Sequence, residues 1–131
     1  MLRLILAAAV LTLSVPSRAD EKGAFIGPGV YATAEGCQKL AALDAGGDRN
    51  VGTVPETLTQ NGFQGWEGAC TFRSVIEVTP GKIWKASLDC HEGAQDGPES
   101  DVFERLEDGR IKVTIMGSAM IFERCSGREG R

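Results

Sequence analysis

Four cysteines give the clearest chemistry in this chain of 131 residues. They are Cys37, Cys70, Cys90 and Cys125, separated by 33, 20 and 35 positions. Structural zinc sites usually place ligands in pairs only about two to four residues apart, so this spacing and a single histidine do not fit zinc. An even number of cysteines in an exported chain is typical of disulfides, and we predict two of them.

The histidine and a group of carboxylates are the other candidates for chemistry. His91 follows a cysteine on a predicted strand, and its position there predicts an outward, solvated imidazole rather than a general base. Carboxylates on a loop can bind calcium, but the alternation and central glycine of an EF-hand are absent. We therefore expect a solvated acidic loop, which contains Glu92, Asp96, Glu99 and Asp101.

No sequence motif of an enzyme class is present. The chain lacks the nucleophile elbow of serine hydrolases, the helical motif of zinc proteases and a phosphate-binding loop. Glu104 and Glu107 could form a carboxylate pair, but on a short strand they face opposite sides, whereas a glycosidase pair must converge. We therefore expect a protein that is not an enzyme, with no catalytic residues, no metal ion and no cofactor.

The first 19 residues have the pattern of a cleaved secretory signal peptide. Arg3 precedes an apolar run at residues 4–15, Pro16 ends the run, and Ala19 precedes the expected cut. The run of 12 residues would extend only about 18 Å as a helix, against a hydrocarbon core of roughly 30 Å. We therefore predict a periplasmic or secreted bacterial protein without a membrane span, in which residues 20–131 form a single disulfide-linked, β-rich domain.

The charge of the expected mature chain is acidic. Removing Arg3 and Arg18 from the 14 basic residues leaves 12, against 18 acidic residues. A net-negative surface repels nucleic acid and anionic lipids, so neither is an expected partner. A basic protein of the periplasm or the extracellular medium fits this charge better.

Two short helices are predicted in the first half of the chain. Residues 20–27 are expected to form a loose lead-in. A short strand at residues 30–33 then precedes helical spacing at residues 34–43, for which Thr33 is a suitable N-cap. Residues 53–61 have the spacing of a capping box with Pro55 in the first turn, which predicts a second helix.

The second half of the chain predicts an antiparallel sheet. Five strands between residues 66 and 125 form a meander, in which Asp108-Gly109 is a hairpin turn of the favoured type. The strand near Val30 could add a sixth, and a small closed barrel is one form that such a sheet can take. In the first of these strands Ile76 and Val78 alternate with polar residues and are expected to face the core, whereas Val75 falls on the polar face. Residues 93–100 are expected to form a polar loop.

The meander limits how the cysteines can pair. Cys70 and Cys90 lie at one end of neighbouring strands, whereas Cys125 ends a strand at the opposite end, roughly 20 Å away. The favoured pairing is therefore Cys70–Cys90 with Cys37–Cys125. A two-residue turn would align Cys70 with His91, so this pairing needs one additional loop residue or a β-bulge.

Two surfaces are candidates for recognition. Aromatic residues at Phe63, Trp66, Phe72 and Trp84 could form a platform for a carbohydrate or a peptide, but Phe72 and Trp84 alternate inward, which favours a role in the core. The loop that contains Met116, Gly117, Ser118 and Met120 connects two strands, and such loops often carry recognition.

Several short motifs resemble a loose set of uncharacterised exported four-cysteine proteins of bacteria. The matching residues are Gly29-Val30-Tyr31, Cys37, Gly62-Phe63-x-Gly65-Trp66-Glu67, Cys70-Thr71-Phe72 and Ile121-Phe122-x-Arg124-Cys125. This resemblance implies the compartment and the disulfide framework, and it implies no particular activity.

The chain also shows a weaker similarity to periplasmic lysozyme inhibitors, which are small disulfide-linked β-barrels. Their inhibitory loop is rich in serine and glycine and continues with a basic residue and a tyrosine. Gly117 and Ser118 match that loop, but residues 120–122 are Met-Ile-Phe where the basic and aromatic residues would stand. Inhibition of lysozyme is therefore one of the alternatives.

These observations predict a non-enzymatic binding or interaction protein of the periplasm. One alternative is an inhibitor similar to those of lysozyme. A second is a small-molecule carrier, which would need an apolar cavity inside the barrel, where Phe72 and Trp84 are expected to fill the space. An enzyme would need titratable groups that converge in a cleft.

Overall fold

The structure is a computed structural model that describes residues 22–46, 54–65, 67–92 and 95–127. The main element is a closed barrel of eight antiparallel strands, in which each strand pairs with the next and β1 pairs with β8. The elements in chain order are a 3-10 turn Ala24–Ile26, β1 Tyr31–Ala32, α1 Ala34–Asp44, β2 Thr57–Thr59, β3 Gly62–Gln64, β4 Gly68–Thr79, β5 Ile83–Glu92, β6 Gln95–Arg105, β7 Ile111–Ile115 and β8 Ser118–Arg124.

The mainly β class and the small closed barrel are confirmed, but the number of strands is larger than predicted. The difference lies in residues 54–64, where the expected second helix is wrong and a hairpin of β2 and β3 is present. In β2 the buried Leu58 stands between two half-buried threonines, which is the period of a strand. The Asn61-Gly62 pair belongs to this hairpin rather than to the end of a helix.

The first strand and helix α1 are confirmed. The hydroxyl of Thr33 caps the helix by accepting a hydrogen bond from the amide of Gly36 at 3.1 Å. The buried face of α1 packs outside the barrel core, where Leu40 joins Ala32 and Cys125 in a small second cluster. The helix therefore covers the seam at which β1 and β8 close the barrel.

The hairpin of β4 and β5 contains two β-bulges. The pairing shifts by one residue just after Phe72 and again just after Glu77. Together with a longer turn, these shifts place Cys70 directly opposite Cys90. The bulge that the favoured disulfide requires is therefore present.

The same bulges overturn the predicted faces of β4. One additional residue in a strand moves every later side chain to the other face. Ile76 and Val78 are consequently exposed, at 65% and 58%, instead of buried. Val75, which was expected on the polar face, packs against the core.

The predicted polar loop at residues 93–100 is also wrong, because β6 already begins at Gln95 and pairs along β5 from there to Glu104. Pro98 is tolerated since, within the described residues, this first half of β6 has no strand on its other side. Asp101 is the first residue that also pairs with β7, and it is fully buried rather than solvated.

Two disulfides connect the four cysteines as Cys37–Cys125 and Cys70–Cys90, the pairs that the meander favours. The first bond joins α1 to the residue after β8. Beside it, the amide of Cys125 donates a hydrogen bond to the carbonyl of Val30 at 2.8 Å. The Cys37–Cys125 disulfide therefore lies where the barrel closes. The Cys70–Cys90 disulfide links directly opposed residues of the neighbouring strands β4 and β5.

Aromatic side chains fill the interior of the barrel. Phe103 contacts Phe63 and Phe72, with ring centroids 6.0 and 5.7 Å apart, and Phe122 packs on Phe63 at 5.8 Å. Edge-to-face and offset arrangements at these distances are typical of aromatic cores. The predicted core role of Phe72 and Trp84 is confirmed, whereas Trp66 lies outside the described residues.

Candidate functional site

A cleft of about 510 Å³ opens at one end of the barrel, which we call the mouth. The β4–β5 turn and the β6–β7 turn meet at this end, where the amide of Arg105 donates a hydrogen bond to the carbonyl of Lys82. The cleft separates the N-terminal segment from the β4–β5 hairpin. Its walls consist of Lys22, Ala24, Phe25, Val75, Glu77 and Trp84.

Phe25 forms the floor of the cleft because its segment folds over the mouth. Its ring stacks on Trp84 at 5.0 Å and meets Phe72 and Phe103 edge to face at 5.5 and 5.3 Å. Residues 22–27 therefore close the barrel, and we call them the cap. The aromatic surface of the cleft rests on the packed core instead of on a mobile loop.

The guanidinium of Arg105 holds the cap in place. Its Nη2 donates to the carbonyl oxygens of Phe25 and Ile26 at 2.5 and 3.0 Å, and its Nη1 donates to the carbonyl of Gly109 at 3.0 Å. The rigid fork of donors in arginine suits this arrangement, in which one side chain satisfies several backbone carbonyls. Arg105 thus positions one wall of the cleft without lining it.

The charged groups of the cleft come from Glu77 and Lys22. The Oε1 atom of Glu77 accepts a hydrogen bond from the amide of Gly81 at 3.0 Å, which ties this carboxylate to the β4–β5 turn. Glu77 pairs in register with Trp84, so the carboxylate lies beside an aromatic ring at the mouth. The cleft therefore combines an aromatic surface with a carboxylate on the β4 wall and the ammonium group of Lys22 on the cap side.

The outer side of the same hairpin exposes apolar surface. Ile76 and Val78 follow the first bulge on β4, and both side chains are more than half exposed. Val102, on β6, is less exposed at 39%. Single exposed apolar residues are ordinary. Ile76 and Val78 are alternate residues on the outer face of β4, whose other face lines the cleft with Val75 and Glu77.

The predicted recognition loop lies at the opposite end of the barrel, since successive turns of a meander alternate between ends. Met116 and Gly117 form a two-residue turn with φ of +50° and +81°, between Ile115 and Ser118. Met116 is 91% exposed and is the one non-glycine residue with positive φ in the described chain. Met120 does not share this exposure, because it is half-buried and packs against the core.

His91 is solvated, as the sequence predicts. Its side chain is 75% exposed, and its Nδ1 lies 3.2 Å from a carboxylate oxygen of Asp96 on the neighbouring strand. Glu99 lies near Cys70 and Cys90, but these cysteines form a disulfide and offer no thiolate to a metal ion. The structure thus brings His91 beside one acidic residue and brings no convergent catalytic set together among the described residues.

Of the cleft residues, the sequence pattern singled out Trp84, as part of the aromatic platform, and placed Val75 on the polar face. Phe25 and Glu77 had no distinguishing pattern, and Arg105 looked like one of many surface charges. The one available signal was the phenylalanine in the lead-in at residues 20–27, an apolar residue that needs a buried environment.

Comparisons with known proteins add no relative. The chain matches no family model, no curated protein and no solved structure. In the described part of the chain, no helix has the length and apolar character needed to cross a membrane. The architecture and the cleft therefore define the class, which is a disulfide-linked antiparallel barrel of eight strands with an aromatic cleft at its mouth.

Proposed function

We propose that this protein is an exported, non-enzymatic binding module whose ligand is a protein. The observation that carries the proposal is that one strand segment exposes Ile76 and Val78 on its outer face and lines a cleft with Phe25 and Trp84 on its inner face. Aromatic residues are enriched among the anchors of protein recognition, and exposed apolar residues that lie together mark interaction sites. We call the surface around Ile76 and Val78 the hairpin surface.

Export is the setting that the proposal assumes. The predicted signal peptide lies outside the described residues, and two disulfides support an oxidising compartment. An expected mature chain with 12 basic and 18 acidic residues favours a basic partner, because complementary charge speeds encounter and suppresses wrong partners.

A carrier with a ligand inside the barrel is less well supported. The aromatic rings of Phe63, Phe72, Phe103 and Phe122 form a chain along the interior, in which neighbouring ring centroids lie 5.7–6.0 Å apart. A small ligand would instead have to occupy the open cleft. The volume of the cleft lies within the range of about 300–1,000 Å³ that is usual for small-molecule sites. Volume alone therefore does not distinguish a small-molecule carrier from a protein-binding module.

Inhibition of lysozyme remains the second candidate, and Met116 is the observation that favours it. A methionine that is 91% exposed at the tip of a rigid hairpin could insert into a substrate cleft. The test is lysis of bacterial cell walls by lysozyme with micromolar protein added. Inhibition that is lost in Met116→Ala supports this candidate, and undiminished lysis removes it.

Photo-crosslinking in living cells tests the binding proposal. A photoreactive amino acid replaces Val78 on the hairpin surface, and a matched control replaces exposed Glu107 at the β6–β7 turn. We expect a discrete adduct with one exported basic protein from position 78 and not from position 107. The purified partner should then bind the wild type more tightly than Ile76→Lys.

Two results would contradict the binding proposal. The first is an absence of adducts from position 78 in the exported fraction. The second is a partner, purified after cross-linking, that binds wild type and Ile76→Lys equally well.

A further inference from the structure

The half of β4 that is nearest the mouth is an open edge of the barrel. Strand β3 pairs with β4 only from Ala69 to Thr71, whereas β4 continues to Thr79. Beyond Phe72, whose amide donates to the carbonyl of Asn61, β4 pairs with β5 on one side. Among the described residues, no strand pairs with the other side of residues 74–79, and this stretch faces the cleft.

This open edge has part of the usual protection against pairing and lacks the rest. Natural edge strands are blocked by lysine, proline, inward-pointing charges or β-bulges, or are covered by another element. The two bulges of β4 fall at the ends of this stretch, and residues 74–77 between them keep a regular register with β5. Residues 74–79 read Ser-Val-Ile-Glu-Val-Thr, with one charge and no proline. β-Branched residues at four of the six positions favour an extended backbone. The edge thus offers backbone donors and acceptors in a conformation that is ready to pair.

We infer that the partner binds by β-strand addition, with an extended segment that pairs along residues 74–79 of β4. This inference rests on the proposed binding function and names its mode. Main-chain hydrogen bonds supply affinity in this mode, and alternate side chains supply specificity. On one face of the added strand, side chains contact Ile76 and Val78; on the other face they enter the cleft above Phe25 and Trp84.

The charge of Glu77 indicates which kind of extended segment would pair with the open edge. Glu77 stands in the middle of the open edge, whereas Lys22, the other charged residue of the cleft, belongs to the cap, so a cationic side chain on the added strand next to β4 meets a carboxylate. A second copy of the chain would bring its own Glu77 close to this one in an antiparallel arrangement, and like charges on neighbouring strands are destabilising. The occupant is therefore a segment of a protein partner in which apolar and cationic residues alternate.

A synthetic peptide tests this mode directly. The probe is a blocked peptide of alternating lysine and valine, and its binding is followed by Trp84 fluorescence in a Trp66→Phe background. We expect saturable binding that is lost when the backbone amides along one edge of the peptide are N-methylated. An alternating glutamate and valine peptide should bind at least about tenfold more weakly.

Matched variants locate the site. Ile76→Lys and Val78→Lys should each weaken binding of the lysine and valine peptide by about tenfold, because they place like charges on the edge. Val102→Lys is the control, since Val102 is an exposed apolar residue on a strand that is paired on both sides. The affinity of Val102→Lys for the peptide should match that of the wild type.

The outcomes separate this inference from the proposed function. Binding that survives N-methylation, or absence of peptide binding while the cross-linked partner still binds, overturns strand addition and leaves the binding function standing. A dimer in light scattering that Ile76→Lys dissolves overturns it too, because a second copy then occupies the edge. If the wild-type protein binds neither the peptide nor the partner, both strand addition and the proposed binding function are overturned.

Discussion

Arg105 donates a hydrogen bond from Nη2 to the carbonyl oxygen of Phe25 at 2.5 Å, which joins residues separated by 80 positions in the sequence. This contact fixes the cap across the mouth of the barrel and leaves the ring of Phe25 stacked on Trp84. The geometry of the cleft therefore depends on a side chain at the end of β6 that does not line it.

Arg105→Ala should loosen the cap and destabilise the fold. Three backbone carbonyls lose a charged donor, so we expect the free energy of unfolding to fall by about 1–3 kcal/mol. Chemical denaturation gives the loss, and hydrogen exchange should accelerate in residues 22–27. Arg110→Ala is the control, because the guanidinium of Arg110 bonds Asp108 of the same exposed turn; a loss as large as that of Arg105→Ala would contradict this account.

The two disulfides should contribute unequally to stability. Their sequence separations are 88 for Cys37–Cys125 and 20 for Cys70–Cys90, and the loop-entropy model gives upper estimates of about 4–5 and about 3 kcal/mol. Replacing each pair with serine should therefore cost more stability for the longer loop. Guanidinium unfolding curves of the two double variants measure these losses. A larger loss of stability without Cys70–Cys90 than without Cys37–Cys125 would contradict this prediction.

The carboxyl of Asp108 should titrate below its usual range. A hydrogen bond from the backbone amide of Arg110, and then one from its guanidinium, lower the pKa of Asp108 below 3.8. A lowered folded pKa means that its stabilising effect is present above 3.8 and is lost as the pH falls through the folded pKa.

Carbon NMR of the carboxyl group measures this directly. In Arg110→Ala the pKa of Asp108 should rise only in part, because the backbone amide, which is the larger cause, is retained. A wild-type value at or above 3.8 would show that the turn does not hold the carboxylate as described.

Replacing Met116 with glycine should remove the strain of its positive φ and so stabilise the barrel. A side chain at φ +50° costs roughly 1 kcal/mol relative to glycine, and Met116 has little burial to offset it. Met116→Gly should therefore raise the free energy of unfolding, or leave it nearly unchanged after the entropy cost of glycine. A marked loss of stability in thermal unfolding would mean that the methionine packs in a way that its exposure does not indicate.

The sequence predicts those parts of the fold in which local pattern and global packing agree. The long alternation in β5, the Asp-Gly turn before β7 and the Thr33 cap of α1 all follow from residues within a few positions of one another. The favoured disulfides followed as well, since a meander fixes which strand ends can meet.

The remaining features depend on contacts that a local pattern does not contain. The β2–β3 hairpin has three residues on each strand and is held by close approach to β4, where a Cβ on Gly62 would lie 2.0 Å from the carbonyl oxygen of Cys70. The bulge after Phe72 shifts the face of every later residue in β4, so the exposure of Ile76 could not be predicted from alternation.

The cleft was unpredictable for the same reason. It forms where the cap, β4 and β5 meet, and the capping residue Phe25 comes from a lead-in that has no periodic signal. The open edge of β4 follows from the length of β3, which is a property of the whole barrel rather than of β4 itself.

Hydrogen exchange of β4 in the presence of the partner recovered by cross-linking at Val78 tests the central claim most directly. The binding surface that we propose predicts slower exchange in residues 74–79 and in the cap, with no change in β7 as an internal reference. Protection confined to the turn at Met116 and Gly117, or no protection in β4, would contradict the claim.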